Sequence, residues 1–252
     1  MPEAGRLESE STRWEKMAEL NLKQKAAARA LSYVRSGMTL GLGSGSTTAH
    51  FINVLGQQIG SGNLRDIHAV PTSEESARLA RQAHIPLTSL DERPVLDLAV
   101  DGADEVDPDL NLIKGLGRAL LREKIVEIHA ARLVIIVGEN KLVSRLGTKG
   151  PLPVEIVPYG SGAHVRWLES LGCQVKLMRG KDDLPVVTDN GNYLACCYFV
   201  AGIEDPFALA RVLADRPGIV EHGLFLNMVH QVIVSGSQGI KILEPRESST
   251  GP

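Results

Sequence analysis

The stretch Met38–Leu55, MTLGLGSGSTTAHFINVL, carries the first clear structural unit. Met38–Leu42 is short and apolar, Gly41, Gly43 and Gly45 follow one another at alternate positions, and the hydroxyl-rich STT leads into an apolar helical pattern. Strand, glycine turn and helix start in that order open a βα unit. The alternation continues on both sides. Glu15–Ser36 reads as a helix with Gly37 past its end. Downstream, Ile67–Val70 predicts a strand, Ser73–His84 a helix, Val95–Val100 a strand, Arg118–Ala130 a helix and Arg132–Val137 a strand. Strands separated by helices need crossover connections, which predicts an α/β fold with a mostly parallel sheet and helices on both faces.

The texture changes near Pro151, where GPLPVEIVP is extended and punctuated by proline, as at a domain crossing. Beyond it come a helix over Ala163–Leu171, the strand-like CQVKLM, the turn Asp189–Asn192 (DNGN), the apolar YLACCYFV and a helix over Pro206–Ala214. That order suggests a smaller α+β domain. By pattern alone the last strand, Gln231–Val234, fits either unit. The expected division is 15–150, completed by 228–244, with 151–227 as the smaller domain. Residues 1–14 and 245–252 are polar and expected to be disordered.

Bulk properties exclude several classes. The 252 residues carry 27 Lys and Arg against 30 Asp and Glu, a net charge of -3, which argues against non-specific nucleic-acid binding. Cys173, Cys196 and Cys197 are odd in number, and two are adjacent in an apolar run. They read as small core residues in a reducing compartment rather than a disulfide framework. No run reaches the roughly 20 apolar residues of a membrane span. The N-terminus lacks the apolar core of a signal peptide, so a cytoplasmic location is expected.

The chemistry concentrates in Asp101–Lys124, DGADEVDPDLNLIKGLGRALLREK. Asp101 and Asp104 follow a predicted strand, at the end where α/β sheets bind ligands. They read either as a pair facing one polyol or as a solvated acidic loop. Ala103 and Val106 stand where a calcium loop needs Asp or Asn and glycine. Lys114 precedes Gly115-Leu116-Gly117 and reads either as a point charge beside anionic oxygen or, taken in isolation, as an exposed lysine before a helix. Glu123 shares a helical stripe with Ala119, Leu120 and Val126, with Arg122 and Lys124 to either side. An inward carboxyl is desolvated, which raises its pKa toward the range of a general base near neutrality; the alternative is an ordinary Glu–Lys surface helix.

The loop Gly41–Thr48 suits a small phosphate or carboxylate, with backbone amides at a helix start and hydroxyls from Ser44, Ser46, Thr47 and Thr48. It is neither a Walker A loop nor a dinucleotide fingerprint, and a ligand-free tight turn is its alternative. Asp101–Lys124 contains no histidine or cysteine. His50, His129, His164, His222 and His230 lack metal-like spacing. No metal and no cofactor are expected.

Together GLGSGST, AVPTS, DGADEVD, KGLGRALLREKIV, PLPVEIVP, DNGN and the late GLF resemble ribose-5-phosphate isomerase of type A, in order from about Lys23 to Ile242. The resemblance implies a Rossmann-like main domain with a smaller α+β domain, assembled as a homodimer or homotetramer. It implies metal-independent interconversion of D-ribose 5-phosphate and D-ribulose 5-phosphate through an enediolate, in the non-oxidative pentose phosphate pathway. Carried over by motif, Glu123 would transfer the proton, Lys114 would stabilise the oxyanion, and Asp101 and Asp104 would orient sugar hydroxyls, one of them assisting ring opening. The substrate site would comprise Lys23, Ser44, Gly45, Ser46, Thr47, Asp101, Gly102, Ala103, Asp104, Lys114, Gly115, Leu116, Gly117 and Lys141. The chain departs from the family's pattern at Arg118, where a small residue is usual; its side chain is expected to point outward. A non-catalytic sugar-phosphate sensor and a nucleotide- or CoA-linked transferase are the competing classes.

Overall fold

The computed structural model describes the backbone of residues 10–245 and side chains from Leu20 onward. Helix α1 (Glu10–Leu31) begins earlier than expected, so residues 10–14 are helical rather than tail. It stops at Leu31, short of Ser36. Ser32, Tyr33 and Val34 bond back to Arg29, Ala30 and Leu31, the tight i→i−3 steps that close a helix. Residues 1–9 and 246–252, the rest of the expected tails, lie outside the described residues.

The main layer is built from β1 (Thr39–Leu42), α2 (Ser46–Gly60), β2 (His68–Pro71), α3 (Glu74–Gln82) and β3 (Leu98–Asp101). The chain then adds the short β4 (Glu105–Val106) and β5 (Leu112–Ile113), α4 (Leu120–Glu127) and β6 (Leu133–Gly138). The smaller layer follows as β7 (Leu152–Ile156), α5 (Ser161–Glu169), β8 (Gln174–Leu177), β9 (Tyr193–Tyr198), α6 (Pro206–Ala214) and β10 (Ile219–His222). The chain closes through β11 (Leu224–Phe225), β12 (Gln231–Gly236) and β13 (Gly239–Leu243).

Six strands form the main sheet in the order β13-β12-β6-β3-β1-β2. All neighbours are parallel except β13, which returns as a hairpin on β12. β6 and β12 are almost wholly buried, as strands covered on both faces must be, and their Val and Ile content follows. Gln231–Gly236 therefore belongs to the main sheet. Four antiparallel strands, β10-β7-β9-β8, form the second sheet. Its core includes Val154, Ile156, Leu168, Ala195 and Leu213. A three-stranded ribbon, β11-β5-β4, joins segments far apart in sequence, with Leu224 opposite Ile113. Cys196 and Cys197 are buried in β9, Cys173 is half-buried, and all three are free.

The helix expected over Arg118–Ala130 is shorter, Leu120–Glu127. Arg118 sits at φ 70, a left-handed conformation no helix continues through. The strand expected from Val95 starts at Leu98; Val95 is exposed. These shifts leave the topology intact. One feature of it locates a site: from β1 the chain steps to β2 on one side and to β3 on the other. That reversal opens a crevice at the carboxyl ends of β1 and β3.

Candidate active site

Leu42, the last residue of β1, lies opposite Val100 of β3, so the two following loops start side by side. A Cβ on Gly43 would stand 2.0 Å from Asp101 Cγ, which reserves this position for glycine. The loop is then tied down by Asp101. Its Oδ1 accepts the amides of Ser44 (2.9 Å) and Gly102 (2.7 Å) and the Thr48 hydroxyl (3.3 Å). Gly45, at φ 93, turns the chain into α2, whose first turn has no side-chain cap. Uncapped amides at a helix start favour an anion.

Lys114 leaves β5 with its amide bonded to Gly223 O. Gly115 at φ 110 then bends the chain away. Lys114 is 2% exposed, and its ammonium donates to Gly102 O at 2.6 Å. Three carboxyls surround it: Asp101 Oδ2 at 2.8 Å, Glu127 Oε1 at 3.3 Å and Glu123 Oε2 at 3.4 Å. The buried Phe225 ring lies 5.3 Å from Lys114 Nζ and 4.7 Å from Lys124 Nζ, within cation–π range of both. Burial opposes the charge on Lys114, but Asp101, Glu123 and Glu127 outweigh it and hold its pKa well above the ordinary lysine value.

Glu123 is buried on α4 together with Leu120, Val126 and Glu127. Its Oε2 has no aligned hydrogen-bond partner, the lysine being near but off-axis. Burial pushes its carboxyl up to about 8; Lys114 pulls it down, while Asp101 and Asp104 push it up further. Asp104 is half-buried and accepts the Leu116 amide at 2.9 Å. Burial raises its pKa too, against that bond and the charges of Lys141 and Lys114.

Ser44, Gly45, Ser46 and Thr47 from the first loop line one cleft of about 130 Å³. Gly102, Ala103 and Asp104 line it from the second, and Lys114, Gly115 and Gly117 from the third, with Glu123 and Lys141. Lys141, Ser46 and Thr47 also border a neighbouring cleft of about 390 Å³, whose wall includes Lys23.

Two expected contacts do not reach either cleft. Asp101, expected to orient sugar hydroxyls, borders neither cleft, and its carboxyl holds the loop amides and Lys114. Leu116 turns a 38%-exposed side chain outward and offers its amide to Asp104. Among the hydroxyls, Thr48 is fully buried against Asp101, and Ser44 is held by Thr72 (2.9 Å) and Ser73 (2.7 Å). Arg118 is exposed, in line with an outward side chain.

A family model described as ribose 5-phosphate isomerase A (phosphoriboisomerase A) matches residues 68–239. The chain belongs to the ribose-5-phosphate isomerase A family. A ribose-5-phosphate isomerase A from Roseiflexus castenholzii is 48% identical over 227 residues, covering 90% of this chain and 97% of that protein. A ribose-5-phosphate isomerase A from Thermococcus kodakarensis is 46% identical over 224 residues, covering 88% and 97%. A solved D-ribose-5-phosphate isomerase in complex with phospho-erythronic acid superposes with a TM-score of 0.87 at 43% identity, over 89% of this chain and 98% of that one. The ribose 5-phosphate isomerase of Plasmodium falciparum gives 0.87 at 36% identity, over 90% and 99%.

Glu127, which meets Lys114 beneath the cleft, is a buried carboxyl that the sequence pattern did not single out. It lies one helical turn beyond Glu123 on the same face, a signal visible in LLREKIVE. Lys124, expected at the side of the helix, is largely buried and bonded to Glu221 Oε1 and His222 O, each at 2.7 Å. Nothing in the sequence near Lys124 marks those partners.

Proposed function

We propose that this chain interconverts D-ribose 5-phosphate and D-ribulose 5-phosphate through an enediolate, in the non-oxidative pentose phosphate pathway. Family membership supports the reaction. The observation that carries the mechanism is Glu123, a desolvated carboxyl lining the cleft 3.4 Å from a buried ammonium. Glu123 removes the C2 proton of the open-chain aldose and returns it to C1. Lys114 opposes the negative charge that grows on the substrate oxygens, and a dry, preorganised cation is effective there. Asp104 orients sugar hydroxyls. The α2 amides with Lys23 and Lys141 form a cationic rim for the phosphate or the remaining hydroxyls.

The proposed enzyme needs no cofactor or metal, acts on a small sugar phosphate in the cytoplasm, and forms a homodimer or homotetramer. Among the described residues, no helix is long and apolar enough to cross a membrane. The proposed larger unit is 15–150 completed by 228–244, supported by the pairing of β12 with β6, and the smaller is 151–227. The test is ketose formation from ribose 5-phosphate with EDTA present, for wild type and Glu123→Gln. Rapid EDTA-resistant turnover lost in the variant is expected. A folded wild type that binds ribose 5-phosphate without turning it over would favour the sensor class instead.

A further inference from the structure

Asp101, Lys114, Glu123 and Glu127 are each 4% exposed or less. Among the described residues, Lys114 is the one cation in ion-pair contact with these three carboxyls. Fully ionised, the group would hold three negative charges against one positive. Uncompensated charge at this depth is costly, and such sites relieve it by retaining protons. The donor pattern indicates where. Asp101 takes two amides and a hydroxyl on one oxygen and the ammonium on the other. Glu123 borders the cleft.

Glu127 has neither provision. It borders neither cleft, accepts no backbone amide or hydroxyl, and has the shared ammonium 3.3 Å from Oε1 as its ion-pair contact. Its Oε1 and Asp101 Oδ2 share the Lys114 ammonium, at 3.3 and 2.8 Å. Buried carboxyls that share one cation with a third acid are relieved when one of them keeps its proton.

We propose that Glu127 is a positioning residue of this site, a buried carboxyl that keeps its proton, donates it to Asp101 and thereby holds Lys114 beneath Glu123. With Glu127 neutral, Asp101 and Lys114 balance each other. Glu123 then cycles between neutral and anionic without a second uncompensated charge beside it. The groups facing Glu127 are Lys114 and Asp101 from the strand ends and Glu123 on its own helix. Lys124, also on α4, is engaged by Glu221 and His222 of β10. Burial pushes the Glu127 carboxyl well above its ordinary range; Lys114 acts against this, while Asp101 and Glu123 act with it.

The kinetic arm rests on the isomerase reading; a spectroscopic arm does not. Isotope-edited infrared spectra of ligand-free wild type and Glu127→Gln at neutral pH should differ by one protonated-carboxyl band, absent from the variant. In kinetics, Glu127→Gln, which keeps a neutral donor, should retain kcat within about fivefold and hold the acid limb of kcat/KM within about 0.3 pH unit of wild type. Glu127→Ala should lower kcat at least about tenfold while moving KM less than about threefold. An unchanged infrared band in Glu127→Gln would overturn the proposal. So would an acid limb displaced downward by about a unit, the sign of a lost anion beside Glu123. If Glu127→Ala does not fold, the spectra and the Glu127→Gln profile still decide. A wild type without isomerase activity would sink the functional reading and leave the infrared result to judge Glu127.

Discussion

Glu105 on β4 and Glu123 on α4 are both almost fully buried, at 1% and 4% exposure, and their surroundings are opposite. Glu105 accepts the amides of Gly147 (2.6 Å), Lys149 (2.6 Å) and Gly150 (2.8 Å), pinning the loop after β6. Glu123 has one off-axis ammonium at 3.4 Å and no aligned donor on Oε2. Burial alone therefore does not mark a functional carboxyl. A carboxylate surrounded by amides is compensated and structural, whereas an under-provided one at a cleft holds its proton loosely enough to exchange it near neutrality.

Glu123→Gln is the hardest test of this contrast. It should cost on the order of 10²–10⁴-fold in kcat with an unchanged circular dichroism spectrum. Wild-type turnover in the variant would remove Glu123 from the chemistry. Removing the cation should come next: Lys114→Met is expected to lower kcat by roughly 10²–10³-fold. It should also weaken the fold by about 3–5 kcal/mol in urea titrations, because three carboxyls lose their shared partner.

The pH dependence sharpens the same contrast. In the proposed mechanism Glu123 acts as a base only when deprotonated, so kcat/KM should rise with pH and level off above about 8. Because its folded pKa is raised, the folded state binds this proton more tightly than the unfolded chain does. The resulting stabilisation is complete below the ordinary value of 4.5 and is lost as pH rises through about 8. Melting temperatures across that window should fall less in Glu123→Gln than in wild type. Equal slopes would contradict the shift.

Glu105→Gln should show the converse profile, a stability loss of roughly 2–3 kcal/mol with kcat within about twofold of wild type. A large kcat loss at full stability would erase the distinction between the two glutamates. The smallest effect is expected at Arg122, beside Glu123 in sequence. It reaches outward to Glu74 (2.8 Å) and Asn190 (2.9 Å), tying α4 to the DNGN turn and α3. As a partly exposed link, Arg122→Ala should cost about 1 kcal/mol or less.

Much of the parallel sheet was legible because buried strands such as RLVIIV are short apolar runs between glycine and helical patterns. Element ends were not. The left-handed Arg118 shortened α4, and nothing local in its sequence marked that conformation. Glu123 was legible as an inward residue because its helical stripe is apolar. Glu127 shares that face and went unmarked. The hydrogen bonds that occupy Asp101 were also hidden, since most of its partners, at 44, 48 and 114, are distant in sequence.

What the sequence determined by itself is periodicity and local backbone freedom: the βα alternation, the glycines at the crevice and the carboxyl on the inner face of α4. These depend on neighbours within a few positions. The tertiary structure alone decided which carboxyl is compensated, which hydroxyls remain available and how one lysine is shared among three acids. Those outcomes depend on donor geometry and desolvation at the meeting of β1, β3, β5 and α4, where the interacting groups are distant in sequence.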